Sequence, residues 1–226
     1  MNEKSRQLVL DLPLRQALGR DDFLVTSSNS AAVELIDQWP NWPTYGAIIV
    51  GPPGSGKSHL VEVWRQKADA QLVHASDLTI ESALQNATLA IEVDGVFDER
   101  AFFHVLNLAK AHHLLITAQS IPANWNLVIP DLLSRLNALP VVSILQPDDA
   151  LLRGVLVKLF ADRQISIDEA MISYILLRMP RSLEAARSIV AKIDQQALIE
   201  RAEVTRPFVA RVMTNFTSPE FFEVES

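Results

Sequence analysis

Five short apolar runs mark the first two thirds of the chain: Ala47-Ile48-Ile49-Val50, Gln71-Leu72-Val73-His74, Thr88-Leu89-Ala90-Ile91-Glu92-Val93, His113-Leu114-Leu115-Ile116-Thr117-Ala118 and Val141-Val142-Ser143-Ile144-Leu145. Each has the length of a strand, and segments with helical spacing separate them. Strands that are apolar on both faces and alternate with helices fit a parallel sheet covered on two sides, so the predicted fold class is α/β. The pattern changes at Gln146-Pro147-Asp148-Asp149. Beyond it the spacing is helical throughout, over 150–162, 168–179, 182–199 and 206–216. Ser166 and Glu169 stand at capping-box spacing, and Thr205 ahead of Arg206-Pro207 marks another helix start. Leu151, Val155, Leu159 and Phe160 are read as the core of a small helical subdomain. The predicted organisation is an N-terminal segment over 1–19, an α/β core over 20–147, a helical lid over 148–216 and an acidic tail over 217–226.

The most informative string lies directly behind the first apolar run. Gly51-Pro52-Pro53-Gly54-Ser55-Gly56-Lys57-Ser58 has the form GxxxxGK[ST], the Walker A phosphate loop, and His59-Leu60-Val61-Glu62-Val63-Trp64 continues as a helix. Such a loop needs a buried strand to deliver the chain, small residues that let backbone N–H groups wrap phosphates, and a helix whose positive end faces them. In this reading Lys57 pairs with the β and γ phosphates and Ser58 puts its hydroxyl on Mg²⁺. The implied cofactors are ADP or ATP with Mg²⁺. A Gly/Pro turn between strand and helix would explain the glycines but not Lys57-Ser58.

Composition narrows the partners. With 226 residues, 49% of them hydrophobic, the chain can bury a sizeable core, and its formal charge of −7 is the wrong balance for a protein that chiefly grips a nucleic-acid backbone. The absence of cysteine excludes disulfides and zinc-thiolate sites. No apolar stretch approaches the roughly 18 residues of a membrane span, and the N-terminus lacks the pattern of a secretion signal, so a cytoplasmic protein without membrane contact is expected.

A hydrolysing phosphate-loop protein needs an acid at the tip of a neighbouring strand to hold Mg²⁺ through water, and usually a second carboxylate to orient the attacking water. Leu89-Ala90-Ile91-Glu92-Val93-Asp94-Gly95 supplies the candidates. Either Glu92 or Asp94 can be the metal-side acid, and in neither register does the adjacent position, Val93 or Gly95, carry a carboxylate. Nucleotide binding with weak intrinsic hydrolysis is the expectation. His104, His112 and His113 lack the spacing of a metal motif and are read as a solvated helix end.

Gly56-Lys57-Ser58-His59-Leu60, Leu115-Ile116-Thr117-Ala118-Gln119 and Ile129-Pro130-Asp131-Leu132-Leu133-Ser134-Arg135-Leu136 together resemble the AAA+ module of the bacterial initiator DnaA and, more closely, the DnaA-related Hda group, over about residues 7–216. The resemblance implies that Arg135, which on its own would pass for a surface salt-bridge arginine, is an arginine finger acting in trans. It implies that Thr117 is the sensor 1 residue, with Gln119 beside it, and that Arg181 in Met179-Pro180-Arg181-Ser182-Leu183 is the sensor 2 arginine. Asp22-Phe23-Leu24-Val25 matches the linker that packs on adenine, which puts Phe23 at the nucleotide. Departures from the family lie at Val93 and at Asn137-Ala138. No DNA-box-reading domain is expected after residue 216.

Gln7-Leu8-Val9-Leu10-Asp11-Leu12-Pro13 presents Leu8, Leu10 and Leu12 at alternating positions behind a glutamine, a form that fits an edge strand or a pocket-binding peptide. The resemblance implies the second: Gln7, Leu8, Leu10 and Leu12 as a peptide docking on the sliding clamp of the DNA polymerase. The implied partners are therefore DnaA and the clamp, with DNA reached only through the clamp, and a homodimer or nucleotide-dependent oligomer. An autonomous AAA+ ATPase such as a helicase loader is the alternative.

Overall fold

A computed structural model describes residues 24–79, 88–109 and 113–214. Gln7, Leu8, Leu10, Leu12, Phe23, His112 and the acidic tail lie outside the described residues. The polypeptide divides between Pro147 and Asp148 into two compact units.

In the first unit, β1 (Gly46–Val50), β2 (Gln71–His74), β3 (Leu89–Val93), β4 (Leu114–Ala118) and β5 (Val141–Ser143) form one sheet in the order β2-β3-β4-β1-β5. Every pairing is parallel. Helices α1 (Ser30–Gln38), α2 (Lys57–Ala68), α3 (Glu99–Leu108) and α4 (Pro130–Asn137) accompany it. β1 is buried along its whole length, and its side chains alternate between two cores. Ala47 and Ile49 join Leu35, Ile36, Leu60 and Trp64 from α1 and α2, whereas Ile48 and Val50 join Phe102, Leu106, Leu132 and Leu136 from α3 and α4. The sheet is thus covered on both faces at its centre. Its edges differ: most side chains of β2 and β5 are exposed, because an edge strand has a neighbour on one side only. β5 also stops at Ser143, short of the predicted Leu145, although Ile144 still donates its N–H to the Val50 carbonyl at 2.7 Å.

This strand order puts the amino-acid sequence at a switch point. The chain leaves β1 and returns as β2 three positions away at the edge of the sheet, with β3 and β4 between, so β1 lies beside β4 rather than β2. Ligands of open parallel sheets bind at the carboxyl ends of strands where the order reverses in this way. Here the ends of β1, β3 and β4 are level: Ile49 pairs with Thr117, and Thr117 with Glu92.

The second unit is helical among its described residues. Helices α5 (Asp149–Asp162), α6 (Glu169–Leu176), α7 (Leu183–Glu200) and α8 (Arg206–Thr214) bury Leu152, Leu156, Phe160, Ile175, Ile193 and Val209 in one core. Three begin on a side-chain cap: Asp148 accepts from the Leu151 N–H, Asp168 from Met171 and Ser182 from Ala185. The capping box expected from Ser166 and Glu169 does not form. Asp168 holds the cap position, and Glu169, now the first helical residue, pairs with Arg153 across the unit.

Two features of the first unit escape the apolar pattern. Helix α1 is short and was not predicted. Behind it, Trp39, Trp42, Trp64 and His113 form an aromatic cluster, with Trp42 stacked on Trp64 and the His113 ring edge-on to Trp39 at 5.6 Å. His113 therefore belongs to a packed cluster, not to the solvated helix end expected of it.

Candidate functional site

The phosphate loop leaves β1 at Val50 and enters α2 at Lys57. Two backbone features depend on glycine. A Cβ on Gly51 would meet the Ile144 carbonyl oxygen at 2.6 Å, and Gly54 and Gly56 adopt φ of 70° and 102°, a region costly for other residues. Lys57 folds back over the loop, its Nζ donating to the carbonyls of Gly51 at 2.7 Å and Pro52 at 2.9 Å. Burial pushes the Lys57 ammonium below the ordinary lysine value, and the Glu92 carboxylate opposes this. The Ser55 hydroxyl is buried without a hydrogen-bond partner in the same loop. Pro53 and His59 flank this cradle, Pro53 on the exposed side of the loop and His59 on α2. Left-handed glycines, an ammonium curled over the loop and an orphaned buried hydroxyl fit a phosphate group.

Across the loop, the Ser58 hydroxyl donates to Glu92 Oε1 at 3.0 Å. Asp94 is not brought to the same place. β3 ends at Val93, so strand alternation no longer holds at residue 94, and Asp94 pairs with His74 at 3.3 Å instead. Glu92 is thus the acid placed beside Ser58, and Asp94 is placed beside His74 at the end of β2. Thr117 is buried on β4, between Glu92 and Ile49 in the sheet register. Ser58 and Glu92 would offer oxygen ligands of the kind that suit a hard cation such as Mg²⁺.

Arg135 lies in the last turn of α4, paired with Asp131 at 3.0 Å and set over the Phe103 ring at 4.9 Å. Its charge reaches Tyr45, whose phenol is pushed up by burial and drawn partly back by this guanidinium. Tyr45 precedes β1, and the phosphate loop follows it. α4 ends at Asn137 and leads into β5, whose first residue Val141 pairs with Ile48, so Arg135 lies on the amino-end side of the sheet and Lys57 beyond the carboxyl end of β1. Phe103 had no signal in the sequence beyond an apolar position on a helix. Within the helical unit, Arg181 is half exposed and paired with Asp149 at 2.8 Å. Leu24 and Val25, next to Phe23, are exposed.

A parallel sheet with β4 inserted between β1 and β3, a phosphate loop leaving β1, and a unit of four described helices make up the fold of an AAA+ module. Residues 149–213 match the family model described as the Hda lid domain. Domain III of the Thermotoga maritima replication initiation protein DnaA aligns with TM-score 0.75 at 16% identity, over 92% of this chain and all of that one. AMPPCP-bound DnaA from Aquifex aeolicus aligns with TM-score 0.65 at 17% identity, over 80% of this chain and 65% of its own. A Thermotoga maritima RuvB variant shares the fold with TM-score 0.68 at 13% identity, over 88% of this chain and 72% of its own. No curated protein matches the chain. The helical unit thus matches the Hda lid family, and the chain as a whole shares the fold of the DnaA AAA+ domain.

Proposed function

We propose that this protein is a cytoplasmic regulator of replication initiation that binds ADP or ATP, docks on the DNA-loaded sliding clamp through residues 7–12, and presents Arg135 to ATP held by DnaA. Hydrolysis in the partner then inactivates the initiator. The observation that carries the reading is the separation of two charged groups along β1. Lys57 serves the loop beyond the carboxyl end of the strand, while Arg135 sits at the end of the helix that leads into the start of β5, on the amino-end side. Five residues of strand span about 16 Å, too far for Arg135 to reach a nucleotide on its own loop, so its guanidinium is available to a nucleotide in another subunit.

The protein's own nucleotide has a supporting role in this scheme. Gly51, Gly54, Gly56 and Lys57 would hold its phosphates, and Ser58 with Glu92 would hold Mg²⁺ through water. Thr117 would sense the phosphate end, with Phe23 against the base and Arg181 approaching from the lid. Val93 follows Glu92 where hydrolysing relatives of this architecture need a second carboxylate, which supports weak intrinsic turnover. A permanently charged, planar guanidinium is suited to stabilise charge on a transferring phosphoryl group, an effect worth about 10³- to 10⁵-fold in characterised phosphate-loop systems.

The test is the rate of hydrolysis of DnaA-bound ATP in the presence of clamp-loaded DNA. Arg135→Ala should lower the stimulated rate by at least about 10²-fold while leaving nucleotide binding by the variant itself intact. Equal stimulation by wild type and Arg135→Ala would discard the mechanism.

A further inference from the structure

The helix that carries Arg135 begins without a cap of its own. Ile129, at the cap position of α4, makes no side-chain cap, and Pro130 offers no N–H. The acceptor comes from another helix. Glu99, the first residue of α3, receives the Val128 N–H at 2.8 Å on one carboxylate oxygen and at 3.0 Å on the other, and the Ile129 N–H at 2.8 Å. A carboxylate there also faces the positive end of the α4 dipole. One turn further along α3, Phe103 lies under the guanidinium of Arg135. Residues four apart on a helix share a face, so α3 holds α4 at two points, its amino end through Glu99 and its functional side chain through Phe103. Asp98 rather than Glu99 caps α3 itself, through the Arg100 and Ala101 N–H groups. The Glu99 carboxylate is thus committed to α4.

We infer that Glu99 and Phe103 are positioning residues for Arg135: Glu99 fixes the start of the finger helix and Phe103 the direction of the guanidinium, so that α3 sets the geometry in which the finger meets its target nucleotide. The inference rests on the proposed role of Arg135. Neither side chain touches the reacting atoms, and the effect should be on alignment. Misplacing a catalytic group by about 1 Å costs up to about 10²-fold in rate.

The experiment measures stimulated hydrolysis of DnaA-bound ATP on clamp-loaded DNA as a function of the concentration of the full-length protein, for wild type, Glu99→Ala, Glu99→Gln, Phe103→Leu and Arg135→Ala. Glu99→Ala should lower the maximal rate about 10- to 100-fold with the half-saturating concentration unchanged. Glu99→Gln keeps an acceptor oxygen and should recover part of the loss, and Phe103→Leu, which keeps bulk but removes the ring, should lower the maximal rate severalfold. Amide exchange of residues 128–135 in the free protein should quicken in Glu99→Ala and not in Phe103→Leu. An unchanged maximal rate in both Glu99 variants, or a loss confined to the half-saturating concentration, overturns the inference. If Glu99→Ala does not fold, Glu99→Gln and Phe103→Leu decide the matter by the same readout. Full stimulation by Arg135→Ala would instead remove the finger reading itself, so the two failures are separable.

Discussion

Lys57 shows how one residue is placed for a ligand at some cost to the apoprotein. Its ammonium is half-buried and satisfied by two loop carbonyls, and burial depresses its pKa from the ordinary 10.5 more than Glu92 restores it. Below 10.5 there is consequently a window in which the unfolded chain holds this proton and the folded chain has lost it. Across that window the group's contribution to stability rises with pH, because a penalty for burying charge is being relieved. Nucleotide binding should follow the opposite sign, since the neutral amine no longer pairs with phosphate. The rise in melting temperature produced by MgATP should therefore shrink as pH is taken from neutrality toward about 10, and Lys57→Met should show no such rise at any pH. Thermal melts with and without nucleotide across the series check both statements. A nucleotide-dependent shift in Lys57→Met equal to that of the wild type would remove Lys57 from the phosphate site.

Helix starts show where local sequence specifies structure and where it does not. Asp168 accepts the Met171 N–H at 2.7 Å, whereas Ser166 stands outside the helix. Asp168→Ala should cost about 1 kcal/mol in chemical denaturation, and Ser166→Ala should fall within about 0.5 kcal/mol of wild type; the reverse ranking would restore the capping box. The strands and lid helices were legible because burial on both faces and a helical period are properties of consecutive residues, as in Ala47–Val50 or Leu152, Leu156 and Phe160. The phosphate loop was legible for the same reason, its parts being contiguous. The register at Glu92 and Asp94 was not, because the choice depends on where β3 ends and on His74 from another strand. Nor was the support of α4: Glu99 meets Val128 across 29 positions of sequence, and nothing in either segment announces the other. His113 was misread because its neighbours Trp39 and Trp42 are brought to it only by the fold.

At the scale of the molecule, a net charge of −7 argues that long-range attraction to DNA does not bring this protein to its site of action. A peptide docked on a clamp that encircles DNA would do so instead, and its energetic effect is one of concentration. In the proposed mechanism such tethering would turn the encounter of Arg135 with its target into a quasi-intramolecular event at the effective concentration set by the connecting chain, without altering the geometry of the finger. The two parts of the mechanism should therefore separate kinetically. A Gln7→Ala/Leu10→Ala variant should lose clamp binding, melt like the wild type and retain its nucleotide-dependent shift. In stimulated hydrolysis it should raise the half-saturating concentration by about 10²-fold or more and still approach the wild-type maximal rate when supplied in excess. Arg135→Ala should do the converse, binding the clamp normally with a collapsed maximum. Unchanged clamp binding by the double variant would assign residues 7–12 to some other task. A lowered maximum at saturation would mean that the peptide takes part in aligning the finger, beyond delivering it.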